Sequence, residues 1–119
     1  MSETRLYGLK NCDTCRKARA WMDGHGLPYA FIDYRAGPVG AEVLKDWARQ
    51  VGGWEKLVNR SSTTWRGLPE SSRQPAGEAD WLALVVANPQ LVRRPVLVTG
   101  DGRVSVGFSD PAWQARFRL

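Results

Sequence analysis

Both cysteines of the chain lie where a short apolar run gives way to a helical pattern. Residues 6–9 predict a strand and residues 11–24 a helix, with Cys12 and Cys15 in its first turn. A helix N-terminus carries unpaired N–H groups and a partial positive charge, which stabilise a thiolate. Asn11 is placed to cap this helix. The spacing therefore predicts a strand–turn–helix unit with a reactive thiol at Cys12.

Three kinds of site use the C-x-x-C spacing. In redox or thiol-transfer chemistry, Cys12 is the nucleophile, and Cys15 can resolve the intermediate that it forms. A zinc site needs four ligands, but only His25 remains and there is no second cysteine pair. Inert buried thiols are the third alternative, although the bases Arg16, Lys17 and Arg19 favour a reactive thiol. His25 ends the predicted helix and is interpreted as a solvated cap residue, with a catalytic role as the alternative.

Length and composition predict one ordinary globular domain. The chain has 119 residues, of which 43% are hydrophobic and 24% charged. We find no signal peptide and no apolar run long enough for a membrane span, and two cysteines suit a reducing compartment, so we expect a cytoplasmic protein. The net charge of +5 comes from dispersed arginines, which indicates an anionic substrate or an acidic partner rather than direct nucleic-acid binding. The chain has no coiled-coil pattern, which favours a monomer.

The order of predicted elements indicates the fold. Strands are predicted at 4–8 and 27–34 around the first helix, which implies a parallel βαβ unit. Helices at 42–51, 54–58 and 78–87 follow, with polar loops at 59–68 and 70–77. Strands at 93–99 and 103–107 form a hairpin at Asp101-Gly102, and Ser109 or Asp110 caps a last helix. This order predicts an α/β, thioredoxin-like fold with a mixed four-stranded sheet, in one domain (1–119) with a helical insertion at about 36–90.

Two apolar helix faces, one proline and one loop complete the predictions. The predicted apolar faces are Ala18, Trp21 and Met22 in the first helix, and Val43, Leu44, Trp47 and Ala48 in the second. In a thioredoxin-like plan, a proline that opens the third strand lies beside the thiol turn. Pro95 holds that position, and we predict a cis Arg94–Pro95 bond, with a trans bond as the alternative. Residues 59–68 form either a surface loop or an anion-recognition loop that uses Arg60 or Arg66.

Several segments carry a resemblance to a known family. The run from Cys12 to Trp21, together with Arg93-Arg94-Pro95 and Val106-Gly107-Phe108, resembles the arsenate reductase-like family, the ArsC, Spx and YffB group. Further segments are most similar to the YffB branch: Phe31-Ile32-Asp33-Tyr34-Arg35, Gly53-Trp54-Glu55, Leu57-Val58-Asn59, Thr63-Thr64-Trp65-Arg66 and Gly107-Phe108-Ser109-Asp110.

The YffB resemblance implies a glutathione-dependent thiol reductase, with a small thiol or disulfide as substrate. Glutathione is then the thiol co-substrate, and no metal is needed. Cys12 is the implied nucleophile, and Cys15 is either a resolving thiol or dispensable. The substrate-binding residues are Asn11, Arg94, Pro95 and Arg60.

The Spx resemblance implies a different class of function. The intact C-x-x-C followed by Arg-Lys-Ala-Arg-Ala-Trp is similar to Spx proteins, which are redox-sensing regulators. This alternative makes the RNA polymerase α-subunit the partner.

Arsenate reduction is the third implied activity, and the chain departs from its pattern. Arsenate reductases of this family surround the oxyanion with three arginines. Arg94 fills one place, the second falls on Asn59 with Arg60 adjacent, and the third falls near Gly107-Phe108, which has no arginine. The resemblance therefore argues against arsenate as a substrate.

Overall fold

The structure is a computed structural model and describes residues 3–37 and 39–119. Two compact units make up the chain. The first contains the chain up to Asp33 together with Arg94–Leu119, and the second is Tyr34–Arg93. The predicted insertion at about 36–90 falls within the second unit, whereas a single domain over 1–119 stays a prediction.

The elements follow the predicted order. In chain order they are β1 (Arg5–Gly8), α1 (Asp13–Gly24), β2 (Ala30–Asp33), α2 (Ala41–Val51), α3 (Trp54–Leu57), α4 (Thr63–Arg66), α5 (Glu78–Ala87), β3 (Val96–Val98), β4 (Val104–Val106) and α6 (Asp110–Phe117), with short 3₁₀ segments at Glu70–Arg73 and Pro89–Leu91. No helix in the described ranges has a stretch long and apolar enough to span a membrane.

The first unit is built on a mixed sheet of order β2-β1-β3-β4. Strands β1 and β2 are parallel, with Leu6 opposite Phe31, and α1 connects them. Strand β3 runs antiparallel to β1, with Leu97 opposite Leu6, and pairs antiparallel with β4. Gly102 adopts a φ of +85° in the β3–β4 turn, as a tight hairpin requires. The predicted α/β, thioredoxin-like four-stranded sheet is confirmed.

Strand β3 is shorter than the predicted 93–99 because Pro95 lies within that range. Proline has no N–H to donate to a strand ladder, so the regular strand begins at Val96. The Pro95 carbonyl still accepts the N–H of Gly107 at 2.9 Å, and the Arg94–Pro95 bond is cis, as predicted.

An aromatic-rich core fills the first unit. Helix α1 buries Cys15, Ala18 and Met22, which confirms the predicted face, with Trp21 half-buried beside them. The fully buried members of this core are Leu6, Ala18, Met22, Leu97 and Trp113, and the half-buried side chains packed on it are Trp21, Leu27, Tyr29, Phe31, Phe108 and Phe117.

In the second unit, α2 buries a narrower face than predicted. Leu44, Trp47 and Ala48 are buried, but Val43 is 43% exposed, so its assignment to the apolar face was wrong. Residues 44, 47 and 48 share one side of a helix at i, i+3 and i+4, while residue 43 lies 100° away from residue 44 on the flank. Gly52 ends the helix with a φ of +103°, the left-handed conformation that glycine favours.

The two segments predicted as loops each contain a helical turn. In residues 59–68, the Ser62 hydroxyl accepts the N–H of Trp65 at 3.1 Å and so caps α4, while the Trp65 side chain is buried. In residues 70–77, Glu70–Arg73 forms a 3₁₀ segment. The loop prediction was wrong at both turns. At α4, a cap and a buried tryptophan outweigh the polar composition, whereas the Glu70–Arg73 turn has no side-chain cap and no buried residue, and nothing in the structure explains it.

Candidate active site

Cys12 is the residue at which α1 begins. Its backbone is extended (φ −112°, ψ 124°) and its carbonyl accepts the N–H of Arg16 at 2.9 Å, so Cys12 itself is the N-cap. The prediction that Asn11 caps the helix was wrong. Asn11 is exposed and lies one residue before the cap, because the chain enters the helix later than the pattern indicated. Its role in substrate binding stays a prediction.

The environment of Cys12 favours the thiolate. Burial of the half-exposed thiol opposes ionisation and by itself raises its pKa, but four nearby groups reverse this effect. The backbone N–H and the thiol of Cys15 stabilise negative charge on the Cys12 sulphur, the Arg94 charge attracts it, and the backbone N–H of Thr14 stabilises it further. The net result is a pKa for Cys12 below its ordinary value, as expected of a thiol at a helix N-terminus.

The charge that acts on Cys12 comes from Arg94 rather than from the bases beside it in the sequence. Arg16 pairs with Asp13 on the exposed first turn of α1. The guanidinium of Arg19 lies 4.3 Å from the centre of the Phe31 ring. The expectation that Arg16, Lys17 and Arg19 supply the activating charge is therefore not supported by the causes of the lowered Cys12 pKa, among which Arg94 is the charged side chain.

Cys15 differs sharply from Cys12. It is fully buried, and this burial is the largest of the effects that raise its pKa to about 11. The neighbouring Cys12 side chain and its charge raise the pKa further, whereas the Leu9 backbone N–H and the Arg94 charge oppose the rise. At neutral pH Cys15 therefore holds its proton, while Cys12 loses its proton more readily than an ordinary cysteine does. Both cysteines are free thiols.

Gly8 is a residue of the site that our sequence analysis interpreted only as a strand end. It is buried at the end of β1, and a Cβ atom built on it would lie 2.5 Å from Cys15 Sγ. The signal that could have revealed it is the position of a glycine at the end of the strand that leads into the C-x-x-C turn.

Arg94 and Pro95 lie in the same unit as the thiols. Arg94 is half-buried and its charge acts on both sulphur atoms. Pro95 is fully buried. The structure thus brings Cys12, Cys15 and Arg94 together, while their catalytic and binding roles stay predictions.

Arg60 belongs to the second unit. It is exposed and lines an open surface depression together with Ser61, Trp65, Glu70, Arg73 and Gln74. The other candidate of this segment, Arg66, donates to the Ser61 carbonyl at 2.7 Å, and the Asn59 side chain accepts the Ser61 N–H at 3.0 Å. These bonds are the local contacts expected of a surface segment, and the anion-binding role of Arg60 stays a prediction.

The remaining candidates are structural in character. His25 is the C-cap residue of α1, is exposed, and has its Nδ1 2.8 Å from the Trp21 carbonyl oxygen, as a cap residue would. Phe108, near the place to which the family resemblance assigns a third arginine, packs edge-on against Trp113, with ring centroids 4.8 Å apart. Within the described ranges, no three His, Cys, Asp or Glu side chains cluster as metal ligands would.

Comparison with known proteins places this thiol site in a family. A model described as the ArsC family matches residues 7–116. The chain belongs to the ArsC family. The match extends from the last two residues of β1 through the cysteine turn and the second unit to most of α6, so the predicted resemblance to the ArsC, Spx and YffB group is confirmed.

Three proteins similar to this chain illustrate the range of the ArsC family. The solved structure of a YFFB protein is 41% identical, with a TM-score of 0.85, over 94% of this chain and 96% of its own. An arsenate reductase (ArsC) related protein from Brucella melitensis is 42% identical, with a TM-score of 0.76, over 99% and 97%. The global transcriptional regulator Spx of Enterococcus faecalis is 32% identical over 88% of this chain and 79% of its own.

Proposed function

We propose that this protein is a thiol-dependent oxidoreductase in which Cys12 attacks an oxidised sulphur substrate, with glutathione as the co-substrate. The observation that carries the proposal is the Cys12 thiol itself, which is half-exposed at the start of α1 and has a lowered pKa beside Arg94. Membership of the ArsC family and the arsenate reductase-related and Spx relatives support the broader choice between a thiol-dependent reductase and a regulator.

The first half of the proposed reaction is a thiol–disulfide exchange. The Cys12 thiolate attacks one sulphur of a disulfide, so that a Cys12–S–S–R bond forms while the substrate S–S bond breaks. The other sulphur leaves as a thiolate and takes a proton from water. Arg94 holds an anionic group of the substrate, such as a carboxylate, because a guanidinium offers paired donors to it. Pro95 forms the wall beside the thiol.

The second half of the reaction regenerates Cys12. We favour attack by a glutathione thiolate on the substrate sulphur of the mixed disulfide: the Cys12–S–S–R bond breaks, Cys12 leaves as a thiolate, and a glutathione–substrate disulfide forms. Cys15 is the alternative attacker. Once Cys12 is in a disulfide, the effect of its charge on Cys15 is gone, but burial, the largest cause of the raised Cys15 pKa, remains. Burial therefore disfavours the Cys15 thiolate and favours the external thiol.

The first prediction concerns the pH dependence of Cys12 reactivity. Because its pKa lies below the ordinary value, Cys12 stays ionised at a lower pH than a free cysteine, whose pKa is about 8.5. We expect iodoacetamide to alkylate Cys12 faster than a cysteine-containing peptide at pH 7, and the midpoint of the Cys12 pH profile to lie below that of the peptide. Mass spectrometry identifies the modified residue. A Cys12 rate at or below that of the peptide at pH 7 would contradict the proposal.

The relationship to Spx supports a second candidate function, a redox-switched regulator that binds the RNA polymerase α-subunit. The observation that favours it is the 32% identity to the Enterococcus faecalis regulator, with the C-x-x-C motif intact in this chain. Two assays distinguish the candidates: binding to purified polymerase α-subunit, and glutathione-coupled turnover of a disulfide. Redox-dependent binding without turnover identifies a regulator, and turnover without binding identifies a reductase.

The second prediction is that arsenate is turned over very slowly. An arsenate ester on Cys12 needs balancing charge, and the place of the third arginine holds Phe108, an apolar side chain packed on Trp113. Loss of one such donor costs roughly 10²–10³ in rate in comparable oxyanion sites. We expect arsenite formation, with glutathione and glutaredoxin supplied, to be slower by about that factor than with a three-arginine ArsC enzyme assayed in parallel. Equal rates would show that another residue supplies the charge.

A further inference from the structure

We propose that Gly8 is a positioning residue of the thiol pair: its missing side chain leaves the space in which the Cys15 sulphur reaches Cys12. This inference rests on the proposed role of Cys12 as the nucleophile. It assigns to Gly8 a function that acts through Cys15, without contact between Gly8 and the substrate.

The geometry shows that the space is occupied by the sulphur alone. A Cβ atom on Gly8 would lie 2.5 Å from Cys15 Sγ, well inside van der Waals contact, but 3.5 Å from Cys15 Cβ and 3.4 Å from Phe31 Cε1, which are ordinary contacts. A methyl group at this position therefore conflicts only with the Cys15 sulphur atom.

Backbone conformation does not explain this glycine. The glycines with positive φ in the described chain are Gly26, Gly52, Gly53, Gly102 and Gly107, and Gly8 is not among them. Gly8 is paired with Asp33 as the last residue of β1 in the parallel ladder, where a strand residue of any type can adopt the backbone. An alanine at Gly8 is thus free of backbone strain, and its effect reports on the contact with Cys15.

The sulphur can escape a methyl group on Gly8 only by leaving its present position. Side chains occupy staggered rotamers about 120° apart, and on a helix such as α1 one of the three is disfavoured. A rotation of this kind takes the Cys15 thiol away from the Cys12 sulphur, whose negative charge it stabilises from its present position. Loss of this interaction raises the pKa of Cys12.

The test compares the pH profile of Cys12 alkylation in the natural protein, Gly8→Ala, Cys15→Ala and the double variant. We expect Gly8→Ala to raise the pH midpoint of Cys12 alkylation, as Cys15→Ala does. In the Cys15→Ala background, where the obstructing sulphur is absent, we expect Gly8→Ala to have no further effect on this midpoint. If the midpoint rises by about one pH unit, the thiolate fraction at low pH falls about tenfold. Because nucleophilicity rises with pKa, the alkylation rate falls only about threefold. Gly24→Ala is the matched control, since a Cβ there meets nothing within 4 Å.

The outcomes separate this inference from the proposed function. If Cys12 of the natural protein reacts no faster than the peptide, the proposed function fails. If it reacts fast and Gly8→Ala leaves the midpoint unchanged, or adds its own shift to that of Cys15→Ala, the role of Gly8 is refuted. Should Gly8→Ala fail to fold, folding of the double variant still identifies the Cys15 sulphur as the obstacle, and failure of both overturns the proposal.

Discussion

Replacement of Cys12 by serine is expected to abolish thiol–disulfide turnover, with a loss of roughly 10⁴–10⁶, the range seen when a covalent nucleophile is removed from an enzyme. A serine hydroxyl at this position stays protonated at neutral pH and cannot form the mixed disulfide. The side chain is half-exposed at the start of α1, so the substitution leaves the core of the first unit intact. The measurement is glutathione-coupled reduction of a disulfide, with circular dichroism as the check on folding.

The companion variant Cys15→Ser distinguishes the two routes for the second half of the reaction. Attack by an external thiol predicts that Cys15→Ser retains turnover, because a serine hydroxyl can still donate a hydrogen bond toward the Cys12 sulphur but cannot form a disulfide. Complete loss at every pH would instead make Cys15 the resolving thiol. Unchanged turnover in Cys12→Ser would overturn the proposed function altogether.

The largest expected effect on stability is that of Trp113→Ala. Trp113 is 2% exposed, and its ring meets those of Trp21, Phe108 and Phe117 edge-on, with centroids 5.5, 4.8 and 6.2 Å away. Truncation of a buried tryptophan removes its apolar area and leaves a cavity, which costs about 3–5 kcal/mol. A domain of this size has a free energy of unfolding of about 5–15 kcal/mol, so the substitution removes a large share of the stability.

Denaturant unfolding measures this effect, with far-UV circular dichroism and tryptophan fluorescence followed together to check for a single transition. Trp113→Phe is the matched control, since it keeps an aromatic ring in the cluster and is expected to cost less than Trp113→Ala. A loss below about 1 kcal/mol for Trp113→Ala would show that the cluster collapses around the vacated space.

Local signals explain why most elements could be predicted from the sequence. Helix α5 was predicted at residues 78–87 and is observed at Glu78–Ala87. Asp101-Gly102 correctly marked a hairpin, and Ser109, whose hydroxyl accepts the N–H of Ala112 at 3.3 Å, correctly marked the start of α6. Each of these features depends on a few neighbouring residues, whose conformational preferences act within the segment itself.

Features that depend on distant or competing contacts could not be predicted in the same way. The exposure of Val43 follows from which flank of α2 meets the rest of the second unit, and the turn at α4 is stabilised by burial of Trp65. Polarity patterns do not contain this information, because a tertiary contact can decide whether a short helical turn forms and which flank of a helix is buried.

The sequence by itself determined that a strand leads into two thiols at the start of a helix, and that Arg94-Pro95 opens a later strand. Only the tertiary structure decided how these parts act on one another. It made Cys12 rather than Asn11 the helix cap, buried Cys15 against Gly8, and brought the charge of Arg94 to bear on sulphur atoms far away in the chain. A thiol pKa depends on hydrogen bonds, charges and burial within a few ångströms, and residues distant in the sequence supply part of that environment only after the sheet has formed.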